Sequence, residues 1–138
     1  MRRMLTESRT IAIVGASPRP DRPSHGVLRT LAGAGWQILP VNPMPEALRD
    51  GVAGLPCFPT LRAAAASLPA GERIDLVDVF RKPADCLAVL DEAIAIKAKS
   101  VWLQLGISVP EVKSVGEAAG LSVIMDRCIK IDHAHLLK

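Results

Sequence analysis

The fold is decided by residues 10–27, TIAIVGASPRPDRPSHGV, in which an apolar run leads through a stiff loop into a new apolar pattern. The run TIAIV at 10–14 is continuously apolar after its first residue, as in a strand covered on both faces. The loop GASPRPDRPSHG at 15–26 holds two glycines and three prolines. Beyond it, the apolar side chains repeat at helical spacing: Val27, Leu28, Leu31 and Ala32. The stretch therefore predicts a strand, a tight loop and a helix.

Four more apolar runs alternate with helical patterns along the chain, at 37–41, 75–79, 100–105 and 121–125. Continuous rather than alternating hydrophobicity is typical of parallel strands with helices on both faces. We therefore predict an α/β fold: one doubly wound Rossmann-like domain, residues 1–138, with a mainly parallel five-stranded sheet flanked by helices.

Proline and glycine mark the predicted helix ends. Gly35 is placed to end the first helix, whereas Pro83 and Pro110 read as first helical residues. The Pro/Gly-rich stretch 43–60 predicts an irregular surface loop, followed by a short Ala-rich helix near 61–68.

Composition excludes several classes of protein. Three cysteines, Cys57, Cys86 and Cys128, are odd in number and have no metal-ligand spacing, which argues against a disulfide framework or a zinc site and fits a reducing cytoplasm. No segment resembles a signal peptide or a membrane span. The net charge is only +3 and aromatic residues make up 3%, so a nucleic-acid surface is not expected.

The loop after the first strand is suited to bind a diphosphate. In an open parallel sheet, ligands lie beyond the carboxyl ends of the strands, near the point where the strand order reverses. Gly15 allows a sharp turn without a blocking side chain, and the N–H groups of Ala16 and Ser17 can form an anion-binding nest. The loop is not the dinucleotide fingerprint, because Ser17 and Pro20 stand where G-x-G-x-x-G requires glycines.

The start of the next helix also favours an anion-binding site at this loop. Ser24 is a candidate N-cap, so the helix beginning near His25 and Gly26 would aim its positive end at the loop. His25 could donate to phosphate or pack at the helix start. A general-base role for His25 is disfavoured because no partner carboxylate or nucleophile is identifiable nearby.

The ends of the second and third strands indicate the ligand's charge. The second strand ends in Asn42 and Pro43 rather than in the acid that binds the NAD ribose, and an amide tolerates a phosphorylated ribose. The third ends in VFRKP, which sets Arg81 and Lys82 at the same edge of the sheet. Cations at a helix start oppose its dipole, so we expect an anion there.

Several motifs in order, IVGASPRPDRPSHGV, PVNP, DLVDVFRKP, VWLQLGI and MDRCIKIDHAHL, closely resemble the stand-alone CoA-binding domain proteins, small bacterial proteins related to succinyl-CoA synthetase α subunits. The resemblance covers about residues 5–136 and implies coenzyme A or an acyl-CoA as ligand. It implies binding residues in four segments: Gly15, Ala16 and Ser17; Asn42 and Pro43; Arg81, Lys82 and Pro83; Gln104, Gly106 and Ile107. To these we add as candidate binding residues their neighbours Arg22, Ser24, His25, Gly26 and Phe80.

The chain differs from many members of that family in the residues that follow VNP. Many relatives carry a basic residue soon after VNP, whereas Met44 and Pro45 follow here. A cation that takes the place of this basic residue must come from elsewhere in the chain, and the candidates are Arg19, Arg22 and Arg49.

The resemblance also bears on catalysis. Relatives that perform thioester chemistry carry a phosphorylatable histidine and a grasp domain in other segments, so we expect a non-catalytic carrier, sensor or partner module. His133 and His135 are spaced i,i+2, which points them apart on a helix and does not suggest a metal site. An NAD(P)-dependent oxidoreductase and an interaction protein with a vestigial site are the alternatives, and a homo-oligomer or a partner enzyme subunit stays open.

Overall fold

The structure is a computed structural model that describes residues 8–104 and 106–129. Its strands are β1 (Thr10–Val14), β2 (Gln37–Val41), β3 (Leu76–Val79), β4 (Ser100–Leu103) and β5 (Ser122–Ile124). Its helices are α1 (Pro23–Gly33), α2 (Pro45–Asp50), α3 (Leu61–Ala66), α4 (Pro83–Ala95) and α5 (Pro110–Ala118).

The strands form one parallel sheet in the order β2-β1-β3-β4-β5. The chain runs outward from β1 to β2, then crosses back over β1 to continue on its other side through β3. The strand order therefore reverses at β1 and β3, where the carboxyl ends of two neighbouring strands lead to opposite faces. The predicted α/β fold and parallel five-stranded sheet are confirmed, and the later strands lie within their predicted limits.

Two apolar layers cover the sheet. Ile11 and Ile13 of β1 face α1, which contributes Val27, Leu28 and Leu31 to the same cluster. The alternate residues of β1 face a second cluster built with α3, α4 and α5. Because successive side chains of a strand point to opposite faces, the continuous hydrophobicity of TIAIV follows from burial on both sides.

The predicted helix ends at Gly35, Pro83 and Pro110 are confirmed, and α3 begins beside Thr60, whose hydroxyl accepts from the N–H of Ala63 at 3.1 Å. The prediction of an irregular loop at 43–60 is wrong in part. Pro45 begins α2 instead of preventing a helix, because its fixed φ suits the first helical position.

The rest of the 43–60 segment runs along the outer strand of the sheet. The N–H of Phe58 donates to the carbonyl of Pro40, and the carbonyl of Phe58 accepts from the N–H of Asn42. Both hydrogen bonds are 2.9 Å long. Pro40 lies in β2, an outer strand, where a residue without a backbone N–H is tolerated. The segment thus protects the edge of β2.

Among the described residues, no helix is long and apolar enough to cross a membrane. Within the same residues, no group of three or more histidine, cysteine or acidic side chains could hold a metal ion. His133 and His135 lie outside the described residues.

Gly116 of α5 makes a close helix–sheet contact that can be tested. A Cβ at this position would lie 2.7 Å from Cγ2 of Val123 and 3.3 Å from Cδ1 of Leu90. We expect Gly116→Ala to destabilise the protein by about 1–3 kcal/mol through overpacking, despite alanine's better helix propensity. The matched control is Gly33→Ala in α1, where nothing lies within 4 Å. Urea unfolding should show a lower free energy of unfolding for Gly116→Ala and no decrease for Gly33→Ala. Equal effects of the two substitutions would contradict the close contact at Gly116.

Candidate functional site

A cavity of about 490 Å³ opens at the carboxyl edge of the sheet, where the strand order reverses. It is lined by Gly15, Ser17, Arg19, Arg22, Pro23, Ser24, Asn42, Met44, Phe80, Arg81, Lys82 and Asp85. Three loops, those following β1, β2 and β3, therefore meet there as the sequence predicts. We name it the edge cavity.

Gly15 permits the loops after β1 and β3 to touch. Its φ is +87°, and a Cβ on it would lie 2.5 Å from the carbonyl oxygen of Phe80. The N–H of Phe80 donates in turn to the carbonyl of Val14 at 2.8 Å, which extends the β1–β3 ladder to its last residue. Both the backbone conformation and the space thus require glycine at this position.

The N–H groups of Ala16 and Ser17, which we predicted to form an anion-binding nest, are bonded to protein acceptors, and so is the N–H of Gly15. The N–H groups of Gly15 and Ala16 donate to the carbonyl of Val41 at 2.8 and 3.3 Å, and that of Ser17 donates to Oγ of Ser24 at 3.0 Å. Ser24 is therefore not an N-cap. The helix starts at Pro23 with Arg22 as N-cap, which makes no side-chain capping bond.

The two serine hydroxyls give the cavity its donor character. Oγ of Ser24 accepts from the N–H of Ser17, and Oγ of Ser17 accepts from the N–H of Arg19 at 3.2 Å. A serine hydroxyl has one hydrogen to donate besides its acceptor lone pairs. Neither hydroxyl donates to an acceptor among the described residues, so each can donate its hydrogen to a ligand in the cavity, Ser17 from a half-buried position and Ser24 from one only 3% exposed.

His25 makes a hydrogen bond to this loop from outside the edge cavity. The side chain is 6% exposed, and Nδ1 lies 3.0 Å from the carbonyl oxygen of Ser17. A carbonyl only accepts, so Nδ1 must carry a hydrogen. His25 does not line the edge cavity, and neither does Gly26, which lies in the first turn of α1. The structure thus gives His25 a loop-bracing contact.

Asn42 also braces the loop. Its Nδ2 donates to the carbonyl of Ala16 at 2.8 Å, and its Oδ1 accepts from the N–H of Met44 at 2.9 Å. The amide predicted to face a ribose thus ties the ends of β1 and β2 together. Its second Nδ2 hydrogen is the one left for a ligand.

The third strand's cations lie at the edge cavity with an anion of their own. Arg81 forms an i,i+4 ion pair with Asp85 in the first turn of α4, at 3.2 Å, and the two side chains are 37% and 43% exposed. Asp85 offsets the repulsion between Arg81 and the helix dipole, so this cation already has an anion within the protein. Contact of Arg81 and Lys82 with an anionic ligand stays a prediction. Lys82 is the N-cap of α4 and Pro83 its first residue.

A smaller chamber of about 220 Å³ adjoins the edge cavity on the α4 side. It is lined by Val14, Val41, Pro43, Pro59, Thr60, Arg81, Asp85, Ala88, Val89 and Glu92. The Arg81–Asp85 ion pair belongs to both spaces, so it stands between a donor-rich space and a largely apolar one.

The segment after β4 lies at the same edge but outside both spaces. The N–H of Gln104 donates to the carbonyl of Val79 at 3.3 Å, and the N–H of Ile107 to that of Gln104 at 2.9 Å. Gly106 N–H donates to Oδ1 of Asp126 at 2.6 Å. Gln104, Gly106 and Ile107, predicted to close the far side of the site, therefore lie beside the edge cavity and do not line it.

Sequence reasoning missed one feature of this turn, the contact between two buried polar side chains. Nε2 of Gln104 donates to Oδ1 of Asp78, while Oδ2 of Asp78 has no hydrogen-bond partner among the described residues. Burial without charge compensation raises the pKa of Asp78 to about 8, although the Gln104 bond acts in the opposite direction. The signal in the sequence was an acid inside the apolar strand DLVDV.

Another cavity, of about 540 Å³, lies at the opposite edge, by the amino ends of β1 and β2. It is lined among others by Trp36, Glu72 and Asp75. Ligands of open parallel sheets bind at the carboxyl edge, so position in the fold favours the edge cavity over this larger space.

A parallel sheet with a cavity at its switch point defines the class of Rossmann-like α/β proteins. Comparison with known families is more specific. The model described as "CoA binding domain" matches residues 9–134, and the chain belongs to this family.

The chain is also similar to individual proteins and solved structures. The chain is 37% identical over 135 residues to the uncharacterized protein YneT of Bacillus subtilis (strain 168), across 97% of this chain and 92% of YneT. A solved Thermus thermophilus structure is 36% identical and has a TM-score of 0.85, over 98% of this chain and 95% of that one. The acetyl-coenzyme A synthetase 1 of Ca. Korarchaeum cryptofilum, solved with phosphate and ADP, shares the fold at 22% identity and TM-score 0.70, across 89% of this chain and 27% of that one.

The close approach at Gly15 predicts a large effect of a single methyl group. Gly15→Ala adds a clash with a carbonyl oxygen to the strain of a positive φ, and we expect a loss above about 3 kcal/mol in unfolding free energy. The matched control is Gly71→Ala, with φ +88° and nothing within 4 Å, which should cost about 1 kcal/mol. Denaturant unfolding measures both. Similar losses at the two positions would show that backbone strain alone explains Gly15.

The raised pKa of Asp78 predicts that the free energy of unfolding depends on pH. Its folded-state pKa is about 8 against an ordinary 3.8, so between these values the folded protein binds more protons than the unfolded chain. The contribution of Asp78 to the free energy of unfolding is therefore fully present below the ordinary pKa and decreases as the pH rises toward 8. Asp78→Asn cannot ionise, so within this window the free energy of unfolding of the variant should rise relative to that of the wild type by about 1.4 kcal/mol per pH unit. Urea unfolding at several pH values tests this, and parallel stability curves would contradict it.

Proposed function

We propose that this protein binds coenzyme A or an acyl-CoA, with the diphosphate in the edge cavity, and performs no reaction on it. The observation that carries the proposal is the donor character of that cavity. Ser17 and Ser24 offer hydroxyl hydrogens where Arg22 and Lys82 bring positive charge. A diphosphate accepts from such groups and donates to none of them. Membership of the CoA binding domain family supports the same ligand.

The two adjoining spaces match the two kinds of surface on the nucleotide. The charged diphosphate suits the edge cavity, and an apolar base suits the chamber beside Val41 and Val89. The ion pair of Arg81 with Asp85 lies between them. In our proposal, Arg81 turns from Asp85 toward the phosphates, an exchange of one exposed anion for another that costs little because surface ion pairs are weak.

The identity of the residues at the cavity supports binding without turnover. Its described lining includes one carboxylate, Asp85, and neither histidine nor cysteine. His25 points Nδ1 at a carbonyl oxygen and lies outside the lining. A general base or nucleophile would have to contact the ligand directly. We therefore propose a carrier, sensor or partner module.

Calorimetric titration with CoA, dephospho-CoA, ADP and NADH tests the ligand. We expect micromolar binding of CoA, as a few charge-assisted hydrogen bonds suffice for such affinity after the costs of association, and weaker binding of NADH, because Asn42 stands where a ribose-binding acid would be. Absence of heat with CoA at millimolar concentration would contradict the proposal, and tighter binding of NADH would favour an oxidoreductase.

Charge variants test the location. Arg81→Ala with Lys82→Ala should weaken CoA binding by about a hundredfold or more, since each of the two lost charge-assisted contacts is worth about 1.5–3 kcal/mol. The matched control, Arg62→Ala with Arg73→Ala, removes the same charge from residues outside the edge cavity. Screening at physiological salt should leave its affinity within about threefold of the wild type. Equal losses in the two double variants would mean that net charge, rather than contact, governs binding.

A further inference from the structure

The Arg81–Asp85 ion pair lies where the two spaces at the carboxyl edge of the sheet meet. Both side chains line the edge cavity and the adjoining chamber, and their charged groups are 3.2 Å apart. Asp85 is the one carboxylate in the described lining of the edge cavity, where the other charged groups are cations. An acid among cations weakens the attraction of a cavity for an anion. Its presence in a cavity suited to an anion therefore points to a role in setting affinity.

The Arg81 side chain packs against the loop to which we assign the diphosphate. A Cβ on Gly15 would lie 3.3 Å from Cδ of Arg81, so the stem of the arginine covers this glycine. One guanidinium nitrogen, Nη2, donates to Oδ2 of Asp85. The stem thus brings the guanidinium to the edge cavity, while Asp85 uses one of its donors.

The backbone that carries the ion pair is held by hydrogen bonds at the start of α4. The N–H of Asp85 donates to the carbonyl of Lys82 at 2.9 Å, and the thiol of the buried Cys86 donates to the same carbonyl at 3.4 Å. Pro83 fixes φ at the first helical position. A change of partner by Arg81 is therefore a rotation of its partly exposed side chain and requires no movement of α4.

Asp85 keeps a stabilising interaction when Arg81 turns away. It lies in the first turn of α4, where the positive end of the helix dipole stabilises a carboxylate. Exposed ion pairs also contribute little free energy in water. The carboxylate therefore competes for Arg81 but can be displaced by a ligand that brings more negative charge, as a diphosphate does.

We propose that Asp85 is an internal competitor of the ligand: before a ligand binds, its carboxylate occupies the Arg81 guanidinium that the diphosphate requires, and so limits the affinity of the edge cavity for anions. This inference rests on the proposed function. It gives the acid of the cavity a regulatory contact, which determines how much negative charge a ligand must bring to engage Arg81.

Removal of the charge of Asp85 should therefore strengthen binding. Asp85→Asn frees Arg81, so we expect the dissociation constants of CoA and of inorganic pyrophosphate to fall about threefold to fivefold, the upper range for an exposed ion pair. Pyrophosphate is included because it is small enough to bind in the edge cavity alone. Calorimetric titration at physiological salt measures both constants, with circular dichroism confirming that each protein is folded.

Matched variants separate competition for Arg81 from a general effect of charge. Asp91→Asn removes the same charge from an exposed acid of α4 that lines neither space, and at physiological salt it should change the dissociation constant of CoA by less than about 1.5-fold. Asp85→Glu keeps a carboxylate one helical turn from Arg81 and should bind CoA as the wild type does. In an Arg81→Ala background, Asp85→Asn should lose most of its effect, because the two residues act through one contact.

The outcomes distinguish this inference from the proposed function. Equal gains from Asp91→Asn and Asp85→Asn would overturn it in favour of long-range charge, and an undiminished gain in the Arg81→Ala background would overturn it in favour of direct repulsion of the ligand. A gain with CoA but not with pyrophosphate, or no gain by folded Asp85→Asn, would overturn it too. Each of these results leaves CoA binding intact, whereas absence of CoA binding by the wild type and all variants would overturn both proposals.

Discussion

The contact between the backbone of Gly15 and the carbonyl of Phe80 is the constraint on which the site depends. The strand order reverses at β1 and β3, so the chain leaves these neighbouring strands toward opposite faces of the sheet. Their loops can converge only if one of them carries no Cβ at the point of contact. The open edge that results is the place where Rossmann-like proteins bind ligands.

Around this contact the protein satisfies its own backbone and leaves side-chain donors for a ligand. The loop amides of Ala16 and Ser17 bond to a carbonyl and a hydroxyl, and Asn42 and His25 hold the loop's carbonyls. Such pairing avoids the cost of buried unpaired amides. What remains for a ligand is the hydroxyl hydrogens and the cationic groups, so the anion binding that we propose would depend more on side chains than on a backbone nest.

Much of this could be predicted from the sequence because burial on both faces leaves a plain pattern. The five apolar runs correspond to the five strands, and the prolines at 83 and 110 begin helices as expected. The convergence of the loops at Gly15, Asn42 and Arg81 followed from the rule that parallel strands end at one edge.

Contacts between distant residues could not be predicted. The partner of Ser24 is a backbone amide seven residues earlier, which converts an expected N-cap into a loop brace. Pro45 reads equally well as a loop or as the first residue of a helix, and the structure selects the helix. The pairing of Asp78 with Gln104 depends on the alignment of β3 with β4, which no local pattern contains.

The most direct measurement is a crystal structure of the protein grown with excess coenzyme A. The account predicts diphosphate oxygens within hydrogen-bond distance of the Ser17 and Ser24 hydroxyls, with the Arg81 side chain turned toward them and away from Asp85. Coenzyme A in the cavity beside Trp36 at the opposite edge, or an edge cavity closed by the protein's own side chains, would contradict it.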